Sequence, residues 1–284
     1  MLKQIVMFNR RIINKILRRT MVGGLALFLA ACASVQTTSS GVVGIDRKQY
    51  MSGLVSGESL SLEASQQYSS LMSQARAQGA LDNNPAQTKR VQTIARNLIN
   101  HVSAFRPDAS SWKWEVHLLD SNEVNAWCMP GGKMAVYTGL INAIKPTDDE
   151  LAAVIGHEIA HALREHSREQ VSQQMAAGIG LSVLAAITGS SATADLGAQL
   201  NEVMFALPNS RSHEAEADRI GVELAARAGY DPRAALTLWK KMEALGGSRP
   251  PELLSTHPSP ASRMSEISAA AERVMPIYKQ AVKR

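Results

Sequence analysis

The pentapeptide His157-Glu158-Ile159-Ala160-His161 restricts the fold more than any other feature of this sequence. Histidines at i and i+4 reach a common point only on a helix, where one turn sets them above each other on the same face. A helix start stands just upstream: Thr147-Asp148-Asp149-Glu150 is a capping-box pattern, and its acids complement the positive end of the helix dipole. The spacing therefore predicts one long helix beginning at Thr147. It carries His157 and His161 as a ligand pair for Zn²⁺, one ion per subunit, with Glu158 beside the ion as general base.

A catalytic zinc takes three protein ligands and keeps one position for water. The extended pattern with a third histidine downstream is absent, because Arg164 and Ser167 stand where Gly and His are required. The third ligand must come from another segment, and Ser210-Arg211-Ser212-His213-Glu214-Ala215-Glu216-Ala217-Asp218 is the best source. On a helix Glu214 and Asp218 share a face, which suits Glu214 as metal ligand and Asp218 as the acceptor that orients a ligand imidazole. Glu216 falls about 200° around the helix from Glu214 and cannot share that role. His213 is an alternative ligand, off that face.

The remaining sequence predicts an α+β, predominantly helical architecture. Two helical stretches from about Leu60 to Phe105 break near Asp82-Asn83-Asn84-Pro85, and Val91, Ile94, Ala95 and Leu98 form one apolar face. Trp112, Trp114, Val116 and Leu118 alternate with polar residues as in a half-buried strand. Val124 to Cys128 and Lys133 to Thr138 read as a hairpin around Met129-Pro130-Gly131-Gly132, completing a small mixed or antiparallel sheet. Residues 175–188 are nearly all apolar but too few to span a bilayer, so they read as a buried helix or a flap. Further helices are expected over Asp218 to Ala226, Pro232 to Leu245 and Pro260 to Val282. Cys128 reads as a semi-buried packing residue rather than a nucleophile. Glu165 and His166 read as exposed positions that extend the histidine-bearing helix.

Six of the 30 Lys and Arg residues lie within residues 1–31, which contain no acid; the other 24 face 25 Asp and Glu. The body of the chain is thus close to neutral and offers no basic footprint for nucleic acid. The basic stretch, the apolar run from Val22 to Ala31 and the small residues before Cys32 have the three parts of an export signal. Leu29-Ala30-Ala31-Cys32 resembles a bacterial lipobox, in which the signal is removed before a cysteine that carries the lipids. Acyl chains hold a protein body at a membrane without a spanning helix. With Cys32 acylated only Cys128 remains, and no intramolecular disulfide can form. Residues 33–45 are small and polar and read as a flexible tether.

Asn125-Ala126-Trp127-Cys128-Met129-Pro130-Gly131-Gly132-Lys133, the histidine-bearing helix, Glu214 to Asp218, and Thr256-His257-Pro258 followed by Arg263 resemble metallopeptidase family 48. The similarity runs over roughly residues 60–275, and the lipobox brings the chain nearest to that family's periplasmic lipoproteins. The resemblance implies a gluzincin fold whose sheet has an edge strand that holds an extended peptide; Lys133, Met134, Ala135, Val136 and Tyr137 match that strand. It also implies that His257 lies near the zinc and can act as a fourth ligand in a closed state. Arg263 either pairs with an acid or faces the site. The organisation so implied is a lipoprotein signal peptide over 1–31, a lipidated tether over 32–48 and a zinc metallopeptidase domain over 49–284. The implied activity is endoproteolysis of misfolded or unassembled envelope polypeptides. Its place is the periplasmic face of the outer membrane, with the outer-membrane assembly machinery as a partner. Two other readings stay open: a chaperone or assembly factor for exported proteins with latent proteolysis, and a zinc enzyme acting on another amide, such as a peptidoglycan cross-link.

Overall fold

The computed structural model of the chain describes residues 32–53, 55–188, 196–245, 252–258 and 261–283. The expected signal segment 1–31 lies outside the described residues. Helix α1 (Gly57–Ala77) starts at Ser56, whose hydroxyl accepts from the Ser59 amide, and buries Leu60, Ala64, Tyr68 and Met72 along one face. Asn84 caps α2 (Pro85–Ile99), and Pro85 sits in the first turn, where its missing N–H has no intrahelical partner to lose. Val91, Ile94, Ala95 and Leu98 turn inward as their spacing predicts. Burying each of the larger three is worth about 1.5–3 kcal/mol.

Strands β1 (Cys32–Val35) and β2 (Gln49–Ser52) pair antiparallel. The segment between them is not the expected flexible tether. Val43 and Ile45 are in the core, and the amides of Val42 and Val43 both donate to Glu223 Oε2, at 2.8 and 3.0 Å. The small polar residues that suggest flexibility bond to the domain itself: Thr37 Oγ1 donates to the Arg164 carbonyl and Ser39 Oγ to that of Ala104. Composition reports polarity but not whether water or protein satisfies it.

The second sheet has the order β3 (Glu115–Leu119), β5 (Lys133–Tyr137), β4 (Ala126–Met129), with β5 parallel to β3 and antiparallel to β4. The β4–β5 hairpin forms as its turn residues predict, with Gly131 and Gly132 at φ +77° and +82°. The expected edge strand does not hold. Lys133 to Tyr137 is the middle strand, because β3 pairs along its other side, from Glu115 opposite Lys133 to Leu119 opposite Tyr137. Met134, Ala135 and Val136 are fully buried, and Lys133 is tied to Glu115 at 2.6 Å. The free edge beside the histidine-bearing helix belongs to β4.

After α3 (Thr138–Ile144), that helix is α4 (Asp148–Leu163), opened by the reciprocal Thr147–Glu150 capping box. Every residue from Glu150 to Leu163 is buried, so α4 is the central helix of the domain. It stops at Arg164, whereas the sequence pattern predicts that it continues through His166. Glu165 turns left-handed at φ +54°, held by Arg106 and Arg168 at 2.8 Å each, and His166 opens α5 (His166–Thr188) with 1% of its surface exposed. The Glu165 carboxylate is paired with the two arginines and the His166 ring is buried against His161 and Glu216, which is why they are not the solvated positions expected. Residues 175–188 are helical, in the second half of α5, and no helix among the described residues is long and apolar enough to cross a membrane. Then follow α6 (Leu196–Phe205), α7 (Arg211–Arg227), α8 (Ala234–Leu245), α9 (Glu252–Thr256) and α10 (Ala261–Ala281).

Candidate active site

Helices α4 and α7 build the site by touching backbone to backbone. A Cβ placed on Gly221 would lie 2.8 Å from the His157 amide nitrogen, and one on Gly156 would lie 3.0 Å from the Gly221 carbonyl oxygen. This contact lets a short carboxylate side chain on α7 reach the imidazoles on α4. Ser210 caps α7 by accepting from the His213 amide, which aims the first turn, with Glu214, at the histidines. His157, His161, Glu214 and His257 are all buried and converge as a group able to hold a metal ion.

The distances fit zinc. Bonds of about 2.0–2.1 Å put neighbouring atoms of a tetrahedral shell about 3.3–3.4 Å apart. His157 Nε2 and His161 Nε2 are 3.1 Å apart, Glu214 approaches each at 3.3 Å, and His257 Nδ1 lies 3.2 Å from His157 Nε2 and 2.9 Å from Glu214 Oε1. Three imidazoles and one carboxylate make a donor set suited to this ion. Glu158 stands beside them, its buried Oε1 without a hydrogen bond and 3.6 Å from His257 Nε2. Asp218 Oδ1 lies 3.0 Å from His157 Nδ1, as the shared face of Glu214 and Asp218 predicts. His213 does not join the group: its ring stacks on His166, with centroids 4.3 Å apart, and its Nε2 meets Glu169 at 3.1 Å.

Burial disfavours charge at His157, Glu158, His161 and Asp218, and the neighbours decide which keep it. At His157 the Glu214 and Asp218 carboxylates outweigh burial and lift the imidazole to about 9. At His161 burial wins and the ring is pushed down to about 3, so it offers a lone pair. Burial also pushes the Glu158 carboxyl above its usual value. Asp218 is held low against burial by Arg263 and His157, and Arg263 forks onto it at 2.6 and 2.8 Å. The same guanidinium stands 2.9 Å from Glu214 and 3.7 Å over the Trp239 ring. Arg263 therefore pairs with acids rather than facing an open cleft.

A cavity of about 200 Å³ adjoins the site, lined by Asn125, Trp127 and Tyr137 on the sheet side, by Glu158, His161 and His257, and by Phe205 of α6. Among the residues matched to an edge strand, only Tyr137 lines it. Cys128 is fully buried beside it, and burial raises its thiol well above the usual range, as befits a packing residue. Sequence reasoning missed β4 as the bordering strand, Trp239 as the platform for Arg263, and the Gly156–Gly221 crossing. Only the last had a local signal, a small residue directly before His157.

A helix-borne His-Glu-x-x-His set completed by a glutamate from a second helix, in a mostly helical α+β fold, defines the gluzincin class of metallopeptidases. The comparison with known families agrees: the profile of Peptidase family M48 matches residues 85–271, and the chain belongs to that family. The chain is similar to the mitochondrial metalloendopeptidase OMA1 of Arabidopsis thaliana, 39% identical over 169 residues, which are 59% of this chain and 34% of that protein. It is 37% identical over 200 residues to the mitochondrial metalloendopeptidase OMA1 of Bos taurus, covering 66% and 38% of the two chains. It is 30% identical over 221 residues to the beta-barrel assembly-enhancing protease of Escherichia coli (strain K12), covering 73% and 43%. The alignments thus span between about a third and under half of these relatives' own length.

Proposed function

We propose that the chain is a zinc-dependent endopeptidase acting on misfolded or unassembled polypeptides of the bacterial envelope. The observation that carries the reading is the convergence of His157, His161 and Glu214 beside a carboxylate, Glu158, that is buried and without a hydrogen bond at Oε1. His157, His161 and Glu214 would hold zinc, which would supply the Lewis acidity that acidifies water and polarises a scissile carbonyl. Glu158, in reach of the same space, takes the proton from the attacking water and returns it to the leaving amine. Asp218 holds His157 in register, and Arg263 holds Asp218. An extended substrate gains main-chain hydrogen bonds along β4, the edge that borders the cavity, which suits broad sequence specificity. His257, within 3.2 Å of His157 Nε2, would offer zinc a fourth protein donor in place of water, the closed arrangement that the family resemblance implies.

A relative named for beta-barrel assembly supports an envelope setting, and the lipobox at Cys32 supports a lipid anchor in the outer membrane facing the periplasm. Both the outer-membrane assembly machinery as partner and the site of action belong to this proposal. The closed arrangement also favours a second reading, in which the protein binds exported polypeptides as an assembly factor and proteolysis stays latent. Glu158→Gln separates the two. We expect it to keep zinc and lose peptide release from periplasmic and outer-membrane proteins by at least about a hundredfold. Zinc-dependent cleavage that survives in this variant would sink the catalytic assignment, and a variant that still supports growth under envelope stress would favour the assembly role.

A further inference from the structure

The two histidines of α4 are held from behind by different partners. His157 Nδ1 meets a carboxylate, Asp218 Oδ1, at 3.0 Å. His161 Nδ1 meets a second imidazole, His166 Nδ1, at 2.9 Å, and His166 Nε2 lies 3.1 Å from Glu216 Oε2. All of these side chains are buried. The protons can run along this chain in one direction only. A ring that ligates through Nε2 carries its proton on Nδ1, so His161 donates and His166 Nδ1 accepts. His166 then carries its proton on Nε2 and donates it to Glu216. The other tautomer of His166 would set two N–H groups face to face at His161 and turn a lone pair toward the carboxylate.

Glu216 is itself fixed. Arg47 Nε meets its Oε1 at 2.8 Å and Arg164 Nε its Oε2 at 3.0 Å. Arg47 also clamps Glu169 through two hydrogen bonds of 2.8 Å, and Glu169 holds His213 against the His166 ring. The placement of His166 depends on a break in the helix. Five residues after His161, a continuous helix would put it about 140° around the axis. The left-handed turn at Glu165 brings it back to His161 instead.

We propose that His166 is a positioning residue for the zinc ligand His161, and that Arg47, in the N-terminal segment between β1 and β2, locks it through Glu216. The inference rests on the zinc reading above. It makes the segment that joins Cys32 to the domain a working part of the metal site.

The test uses the full chain loaded with zinc or cobalt(II). His166→Phe fills the space without a hydrogen bond, His166→Gln keeps an acceptor for His161 and a donor for Glu216, and Arg47→Met removes the clamp. Zinc dissociation constants, cobalt(II) visible spectra and the unfolding midpoint of the metal-free protein are measured for each. His166→Phe is expected to weaken zinc binding about 10–100-fold and shift the cobalt bands. His166→Gln should restore most of both, and Arg47→Met should give the same spectral shift to a smaller extent. Nitrogen-15 spectra of the zinc-loaded parent should show Nδ1 protonated in His161 and unprotonated in His166. A His166→Phe protein with the parent's zinc affinity and cobalt spectrum overturns the proposal whatever its unfolding midpoint, and so does a protonated His166 Nδ1. Should His166→Phe fail to fold, the nitrogen assignment and the other two variants decide between these outcomes. An Arg47→Met spectrum equal to the parent's overturns the part played by Arg47. A parent that binds neither ion defeats the zinc reading itself.

Discussion

Arg263 contacts both Glu214 and Asp218, as His157 does, and all four side chains are buried. Removing such a partner leaves two buried carboxylates with less compensation. Arg263→Met, which keeps the length of the side chain, should therefore cost about 3–5 kcal/mol, read as a lower urea midpoint of the metal-free protein. An unchanged midpoint would show that the histidines already carry the compensation. Glu169 sets an acid limit on stability. Burial raises its carboxyl, but Arg47, His213 and Gln49 outweigh this and hold it well below the usual carboxylate range. A folded-state value below the unfolded one contributes stability that is complete above about pH 4.5 and is lost as pH falls toward the folded value. Glu169→Gln should thus flatten the fall in stability between about pH 5 and pH 3, and parallel curves for parent and variant would count against the assignment. At this scale the sequence is informative wherever a role depends on spacing within one helix, as for His157, His161, Glu214 and Asp218. The role of His166 is not legible in that way, because its place depends on a left-handed turn held by Arg106, 59 residues away.

Among the elements, the crossing of α4 and α7 has the most consequence for the site. Gly221→Ala should raise intrinsic helix propensity by about 1 kcal/mol, yet the added Cβ would meet backbone of His157 and Gly156 below 3.0 Å. Backbone cannot turn aside as a side chain can, so the helices must separate. The expected result is a net loss of about 1–3 kcal/mol together with weaker zinc binding, because Glu214 moves with α7. Zinc titration and urea unfolding of Gly221→Ala check both parts; a more stable variant with unchanged affinity would show that the contact is slack. The sheet shows where reading by element stops. The hairpin of β4 and β5 is legible from Pro130, Gly131 and Gly132, since a turn is local. Which of the two strands is central is not, because it depends on β3 arriving from another part of the chain and pairing parallel with β5.

On the scale of the whole molecule, the N-terminal segment is where the proposed lipid anchor would meet the domain. β1 begins at Cys32 and is already paired with β2, so an acyl group on Cys32 would set the domain directly against the membrane rather than on a leash. Cys32→Ser should move the protein from the membrane to the soluble fraction without changing its peptide hydrolysis in detergent. A variant that stays with the membrane in cell fractionation would overturn the lipid anchor. The tether expected from composition fails because Thr37 and the amides of Val42 and Val43 find their partners, Arg164 and Glu223, more than a hundred residues later.

The sequence by itself determined the capped helix, its histidine pair, the glutamate between them and the glutamate and aspartate that share a face of a second helix. Each is a matter of spacing, and spacing sets which side chains point the same way. Only the tertiary structure decided what stands opposite them: Arg263 against Glu214 and Asp218, β4 at the free edge, and His166 with Arg47 behind His161. The physical reason is that local geometry fixes a side chain's direction relative to its own element. The partner it meets depends on how elements far apart in sequence exclude water together.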